Sequence, residues 1–340
     1  MLFWLELKKT LFSPALLSFF ALCIMLNVII VLVHHTVDID KHNDEPFNVF
    51  EGYETSGLAD YYVRLHRMSG DAEENIRAKY NKLQFVIDEK ANDGDALSEY
   101  FGYDTYYLHN LLFGTLFFVV VIESCLIALF AVLLSTGYEN MRNTEHLICT
   151  SRTGRRILRK KLAASLTTGL AVFTVILIIS LAVFFARYDY SAVWSDNVSS
   201  SFNFSPGEWL KPFITWHSFT VAGFFLAVIF AAAGLMVVFT LFGFALGTVF
   251  QSGYISCGVA VTLCILQFIA PFLLQMGGTL RGILNLTPVM LWVNSGKWFT
   301  DGGAGIVWPN FESIGIIVLL VMLSALALLT ASFYKRRDLL

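Results

Sequence analysis

The chain is organised around a polar stretch at residues 138–161, which reads YENMRNTEHLICTSRTGRRILRKK. Long apolar runs precede and follow it, and each has the ~20 residues that a helix needs to cross a bilayer. The stretch holds seven lysines and arginines, at 142, 152, 155, 156, 159, 160 and 161. Because short basic loops are retained on the cytoplasmic side of a membrane, the stretch is predicted to be a cytoplasmic loop between two spans.

The same stretch carries a helical pattern. Tyr138, Met141 and Leu147–Ile148 fall on one face at helical spacing, and Thr153–Gly154 then interrupts the pattern. This predicts a small amphipathic helix at 138–150 that lies at the membrane surface. A positively charged turn that only sets the topology is the simpler alternative.

The composition is that of a membrane protein with several spans. Of 340 residues, 56% are hydrophobic and 14% are charged, whereas soluble domains carry about 25% charged residues. Five cysteines occur without a Cys-x-x-Cys pair, so the sequence predicts neither a disulfide framework nor a zinc site. It also lacks the motifs of ATP phosphate-binding loops, zinc proteases and serine hydrolases. We therefore predict a protein that is not an enzyme, holds no metal or cofactor and binds no nucleic acid.

The predicted fold is an all-α polytopic membrane protein with six transmembrane helices and a small helical extracellular insertion between the first and second. The insertion, residues 34–106, carries 16 Asp and Glu against 7 Lys and Arg. Ile76, Tyr80, Leu83 and Ile87 follow one another at helical spacing within it, which predicts an amphipathic helix. Inner segments hold 12 Lys and Arg and short outer loops hold four, which favours cytoplasmic positions for both termini.

The chain is predicted to divide into seven parts. They are an N-terminal interfacial segment with span one (1–33), an acidic extracellular helical cap (34–106), span two (107–135), the cytoplasmic loop (136–161), spans three to five (162–275), extracellular re-entrant or interfacial helices (276–312), and span six with a basic cytoplasmic tail (313–340). Within span four, Gly243 and Gly247 have the spacing of closely packed helices, and packing within the subunit is favoured over a dimer seam.

Glu123 lies near the middle of span two. A carboxylate at that depth is costly and usually faces a cavity or a polar partner. One interpretation is that Glu123, Asn27 and Gln267 line a transport path. The other is that a protonated Glu123 is hydrogen-bonded to Asn27 or Gln267. The sequence leaves both open.

The 138–161 stretch resembles the first cytoplasmic loop of the membrane permease subunits of type-2 ABC transporters, the bacterial exporter class. The matching positions are Glu139, Thr144, Leu147, Ile148, Ser151, Arg155, Arg156 and Lys161. In that family the loop is a coupling helix seated in a cleft of a separate ATPase subunit. Here Asn143 stands where a Gly is usual, and Thr153–Gly154 stands where a Pro-Ile-Ser is common.

The resemblance implies an exporter subunit in a bacterial cell membrane. The apolar, aromatic-rich spans and the outer cap would suit an amphiphilic substrate, such as a peptide, a lipid or a hydrophobic drug. A second copy or a paralogue would complete the permease, and separate ATPase subunits would carry ATP and magnesium. The expected contacts with the ATPase are Tyr138, Glu139, Asn140, Arg142, Thr144, Glu145 and Ile148. The expected membrane-surface anchors are Arg155, Arg156 and Lys161. The alternative function is a membrane sensor or immunity protein that binds a peptide with its extracellular cap.

Overall fold

The computed structural model describes residues 2–37, 39, 48, 50–93, 103–142, 157–201, 213–250 and 252–336. Among these residues the regular structure is helical, with two isolated β-bridges and no strand. Six helices are long and apolar enough to cross a membrane, which confirms an all-α protein with several spans. They are span one (Pro14–Val33), span two (Asp104–Asn140), span three (Ile157–Arg187), span four (Val221–Phe250), span five (Gly253–Leu273) and span six (Phe311–Phe333).

The remaining helices lie at the two ends of the bundle. They are the N-terminal helix (Leu2–Leu11), the first cap helix (Thr55–Leu65), the second cap helix (Asp71–Asp93), Val198–Ser201, Thr279–Asn285 and Pro288–Val293. Single 3-10 turns occur at Ser191–Val193, Ala270–Leu273, Ser295–Lys297 and Gly303–Gly305.

The N-terminal segment is a helix of its own and is separated from span one by a break at Phe12–Ser13. The Ser13 hydroxyl accepts a hydrogen bond from the Leu16 N–H at 3.3 Å, and Pro14 occupies the first turn. Both features favour a new helix start, because Ser satisfies a free backbone donor and Pro has no N–H to leave unpaired. The N-terminal helix packs mainly against span three.

Span two is the central helix and continues further than predicted. It packs against spans one, three, four and five, and 72% of its most apolar stretch is buried. A π-helical turn at Asn110–Leu116 interrupts it, and the α-helix that follows runs to Met141. Residues 138–141 therefore belong to the end of this span, because nothing between 135 and 141 breaks the helix. The rest of the predicted surface helix, 143–150, lies outside the described residues.

Span four begins at Val221, since residues 213–220 are not helical and form β-bridges from Thr215 to Thr300 and from Thr220 to Asn197. Its glycines let it approach span two closely. A Cβ at Gly243 would lie 2.5 Å from Val132 Cγ1, and one at Gly247 would clash with Thr136. These two glycines therefore serve packing within the subunit, as predicted.

The insertion between spans one and two folds around a helical pair, which we call the cap. Ile76, Tyr80, Leu83 and Ile87 are each 0% exposed, which confirms the predicted apolar face of the second cap helix. This helix also packs against the segment 276–306 that precedes span six. The Asp71 carboxylate accepts from the Thr279 N–H at 2.9 Å, and Asn75 donates to the Gly277 carbonyl at 3.1 Å.

Candidate functional site

A buried group of charges lies at the end of the bundle where the 142–156 loop begins and ends. Glu139, in the last turn of span two, pairs through one carboxylate oxygen with Lys161 of span three. Its other oxygen accepts from Lys9 of the N-terminal helix at 2.6 Å. Glu139 is 7% exposed and Lys161 is 3% exposed. We call Lys9, Glu139 and Lys161 the charged junction, because they join three helices.

Glu6 also contacts the junction. Lys9 is 3.3 Å from the carboxylate of Glu6, so its ammonium contacts two carboxylates. Lys161 also donates a hydrogen bond to the Ser135 carbonyl of span two at 2.6 Å. Buried charges are tolerated when they are paired and hydrogen-bonded, and the loss of one partner is then strongly destabilising.

Tyr138 connects the junction to the surface of the protein. The Lys9 ammonium lies 3.7 Å from the centroid of its ring, and the Arg142 guanidinium carbon lies 4.7 Å from it. A cavity of about 350 Å³ opens beside these groups, between the N-terminal helix and the end of span two. It is lined by Lys9, Thr10, Ser13, Leu134, Ser135, Tyr138 and Arg142.

The predicted loop contacts have different positions in the structure. Asn140 and Arg142 are exposed and Tyr138 is half-buried. Glu139 and Lys161 point into the protein and pair with each other, so neither side chain is presented at the surface. The structure shows Glu139 and Lys161 as an internal ion pair, and the ATPase contact of Glu139 and the membrane-surface role of Lys161 stay predictions. Thr144, Glu145, Ile148, Arg155 and Arg156 lie outside the described residues.

Lys9 and Glu6 are the residues of this site that sequence reasoning missed. Lys9 lies 130 residues before Glu139 in the chain, and a local sequence pattern cannot predict a contact over that separation. The signal that was present is compositional. A lysine pair, Lys8–Lys9, ends the N-terminal helix just before span one.

A second polar group lies inside the membrane-spanning part of the bundle. The Asn27 amide of span one donates to the Glu123 carboxylate of span two at 2.8 Å. Asn27 is 0% exposed and Glu123 is 4% exposed. Gln267 does not join them, because its side-chain oxygen accepts from the Val289 N–H at 3.3 Å. The structure thus contains the hydrogen-bonded pair, and a role in a transport path stays a prediction.

No group of three or more His, Cys, Asp or Glu side chains that could hold a metal ion occurs in the part of the chain that the structure describes. Comparison of the chain with protein-family models, with curated proteins and with solved structures returned no match.

Proposed function

We propose that this chain is the membrane permease subunit of an ATP-driven exporter, coupled to separate ATPase subunits through the loop between spans two and three. The observation that supports this most directly is the charged junction. Both ends of that loop meet there, and a third helix is attached through Lys9. A force applied to the loop would therefore act on three helices at once.

The position of span two explains how such a force would spread. Span two carries Glu139 at its end and packs against four of the other five spans. Ion pairs require close and well-defined geometry, so displacement of Glu139 relative to Lys161 would either move both helices or break the pair. ATP on a partner would shift this protein between two states only if its contacts differ between those states. The proposal therefore requires that the Glu139–Lys161 contact differs between those two states.

The rest of the proposal follows the loop resemblance. The chain works as a pair, with a second copy or a paralogue, in a bacterial cell membrane and with both termini in the cytoplasm. The 34–106 cap is then extracellular, and the ATPase subunits hold the ATP and magnesium. Within the loop, we expect Arg142 and Glu145 to contact the ATPase. Arg142 is exposed. The substrate is an amphiphilic molecule.

The test is affinity purification of the tagged protein from its native host in a mild detergent. Wild type is compared with Arg142→Glu and Glu145→Arg, and with Arg64→Glu as the matched charge reversal on the exposed face of the first cap helix. We expect mass spectrometry to identify an ATPase that co-purifies with wild type and Arg64→Glu. The yield of the ATPase should fall about tenfold or more with the two loop variants, because reversing an interface charge places like charges opposite each other.

An ATPase that is missing from all four preparations, while all four proteins are intact and monodisperse, would contradict the proposal. The alternative function, a membrane sensor that binds a peptide with its cap, would then be favoured. It is tested on the same samples, because it requires peptide binding that depends on the cap and is independent of ATP.

A further inference from the structure

A second cavity lies at the opposite end of the bundle from the charged junction. Its volume is about 580 Å³, within the usual range of small-molecule sites. Four parts of the chain line it among the described residues: the end of the first cap helix, Tyr106 of span two, residues 213–214, and the region from Phe272 to Gly305. The cavity is therefore formed where the cap meets the ends of the spans.

Arg281 lines this cavity and is not fully satisfied by the protein. It is 8% exposed, and one terminal nitrogen donates to the Leu274 carbonyl at 3.1 Å. Its buried Nε–H has no hydrogen-bond acceptor among the described residues. Burial lowers the pKa of Arg281, but a guanidinium stays charged at any physiological pH. A buried charge with an unused donor is costly unless an acceptor arrives from outside.

The surrounding charges also favour an anion. Lys297 lines the cavity, and Lys79 lies behind its wall, where its ammonium donates to the carbonyls of Asp301, Gly303 and Ile306 at 2.6–2.9 Å. Asp301 is the acidic residue among the described residues of the lining, and its carboxylate accepts hydrogen bonds from the Tyr80 hydroxyl and from the Gly303 N–H. Among the described residues, basic side chains therefore outnumber acidic ones around this cavity.

The remaining walls are mostly apolar. Phe272 lies beneath the Arg281 guanidinium, with 5.9 Å between the guanidinium carbon and the ring centroid. Other apolar side chains in the lining are Phe213, Ile214, Met276, Met290 and Val293. An arginine fork pairs well with planar or tetrahedral oxyanions, and the apolar walls would cover a hydrocarbon or aromatic body.

We propose that this cavity binds an anionic amphiphile, with the carboxylate or phosphate of the ligand on Arg281 and its apolar body against Phe272 and the neighbouring walls. Lys297 adds attraction at the mouth. The ligand could supply its oxyanion from the C-terminus of an apolar peptide or from a lipid headgroup, and the two sources differ in the oxyanion that they carry. Binding requires no ATPase subunit, so the test of this site is independent of the test of the proposed function.

The test uses the purified full-length chain in a maltoside detergent, which contains no carboxylate or phosphate. Radiolabelled octanoate and octyl phosphate are the probes in equilibrium dialysis, with protein-free micelles as the blank. We expect saturable binding of at least one probe at one site per chain. Unlabelled octanol and octyltrimethylammonium should not displace it. Tighter binding of octanoate would indicate a peptide carboxylate as the natural ligand, and tighter binding of octyl phosphate a lipid headgroup.

Four variants locate the site. Arg281→Gln should weaken binding about tenfold or more, because a charge-assisted hydrogen bond is lost, and Arg281→Lys should weaken it less. Arg64→Gln, an exposed arginine of the first cap helix, is the matched control and should bind as wild type does. Lys297→Glu replaces an exposed side chain at the mouth, so it keeps the test valid even if Arg281→Gln fails to fold. It should weaken binding several-fold.

Two results would overturn the proposal. One is displacement of the anionic probe by octanol at the same concentration, which would mean that only the apolar body is recognised. The other is unchanged affinity in folded Arg281→Gln or in Lys297→Glu.

Discussion

The ammonium of Lys161, near the start of span three, is paired with the carboxylate of Glu139, in the last turn of span two. The loop that joins these spans begins and ends beside this pair. The Lys9 ammonium also binds this carboxylate, at 2.6 Å, so Glu139 pairs with two lysines. Loss of the Glu139 charge would therefore leave both ammonium groups without this counter-charge.

The first prediction follows from this asymmetry. Glu139→Gln should lower the free energy of unfolding by about 3–5 kcal/mol, because Lys161 is then buried without its counter-charge. Lys9→Met should cost less than Glu139→Gln, since its loss leaves Glu139 paired with Lys161. Equilibrium unfolding of the detergent-solubilised protein by added SDS measures both changes.

A double variant separates stability from coupling at this junction. Glu139→Leu with Lys161→Met removes both charges and should recover most of the stability lost in Glu139→Gln, because an apolar pair often replaces a buried ion pair at little cost. If the junction transmits movement, this folded variant should still lose transport-linked ATP hydrolysis in the complex with its ATPase. Wild-type rates in that variant would show that the pair serves stability alone.

The second prediction concerns the polar contact inside the membrane. Asn27→Leu removes the donor to Glu123 and should cost about 0.5–2 kcal/mol, which is the range for hydrogen bonds between transmembrane helices. Asn27→Asp should cost more, since it brings a second carboxylate to a 2.8 Å contact in a buried position. Glu123→Gln keeps an acceptor for Asn27 and should stay close to wild type. SDS unfolding gives this ranking, and a milder effect for Asn27→Asp than for Asn27→Leu would contradict it.

The third prediction separates backbone strain from steric clash at the cap. Gly70 and Gly277 both have positive φ, +60° and +78°. A Cβ at Gly70 would meet nothing within 4 Å, whereas one at Gly277 would lie 2.8 Å from Ile76 Cγ1 and 2.9 Å from the Ala72 carbonyl oxygen. Gly70→Ala should therefore cost about 1–2 kcal/mol from the left-handed backbone alone. Gly277→Ala should cost clearly more, because the second cap helix must also move away.

Hydrogen exchange distinguishes these two glycine variants. Amides of the second cap helix should exchange faster in Gly277→Ala than in Gly70→Ala, since only the former pushes the helix off its support. Equal exchange in the two variants would mean that the close approach at Gly277 does not hold the cap in place.

The fourth prediction is that the stability of the protein depends on pH through the hydrogen bond between Thr279 and Asp71. The Thr279 N–H donates to the exposed Asp71 carboxylate and holds the pKa of Asp71 below its ordinary value of 3.8. A carboxyl whose pKa is lowered by folding stabilises the folded state above its unfolded pKa. That contribution should be complete above pH 3.8 and should fade as the pH drops below it, through the lower pKa of the folded state.

Asp71→Asn tests this dependence. The variant should be less stable than wild type at pH 6, and the difference between the two thermal midpoints should shrink as the pH falls below 3.8. Asp88→Asn is the matched control, because that carboxylate accepts from Gln84 of the same helix. Its substitution should leave the contact between Asp71 and Thr279 intact. A constant difference between wild type and Asp71→Asn across this range would contradict the prediction.

The sequence by itself determined the helical architecture. Apolar runs long enough to span a bilayer must form helices there, since the lipid offers no partner for backbone N–H and C=O groups. The buried face of the second cap helix was also readable, because Ile76, Tyr80, Leu83 and Ile87 repeat at the helical period. These are local properties of the chain, and so a local pattern predicts them.

Only the tertiary structure decided which polar groups meet. The sequence predicted Glu139 as a contact with an ATPase subunit and gave no sign of its internal partners, one of which, Lys9, is 130 residues away. Arg281, the centre of the second cavity, carried no signal in the sequence at all. Hydrogen bonds and ion pairs need their atoms within about 3 Å and in fixed directions. Such placement depends on how whole helices pack, which neither periodicity nor composition specifies.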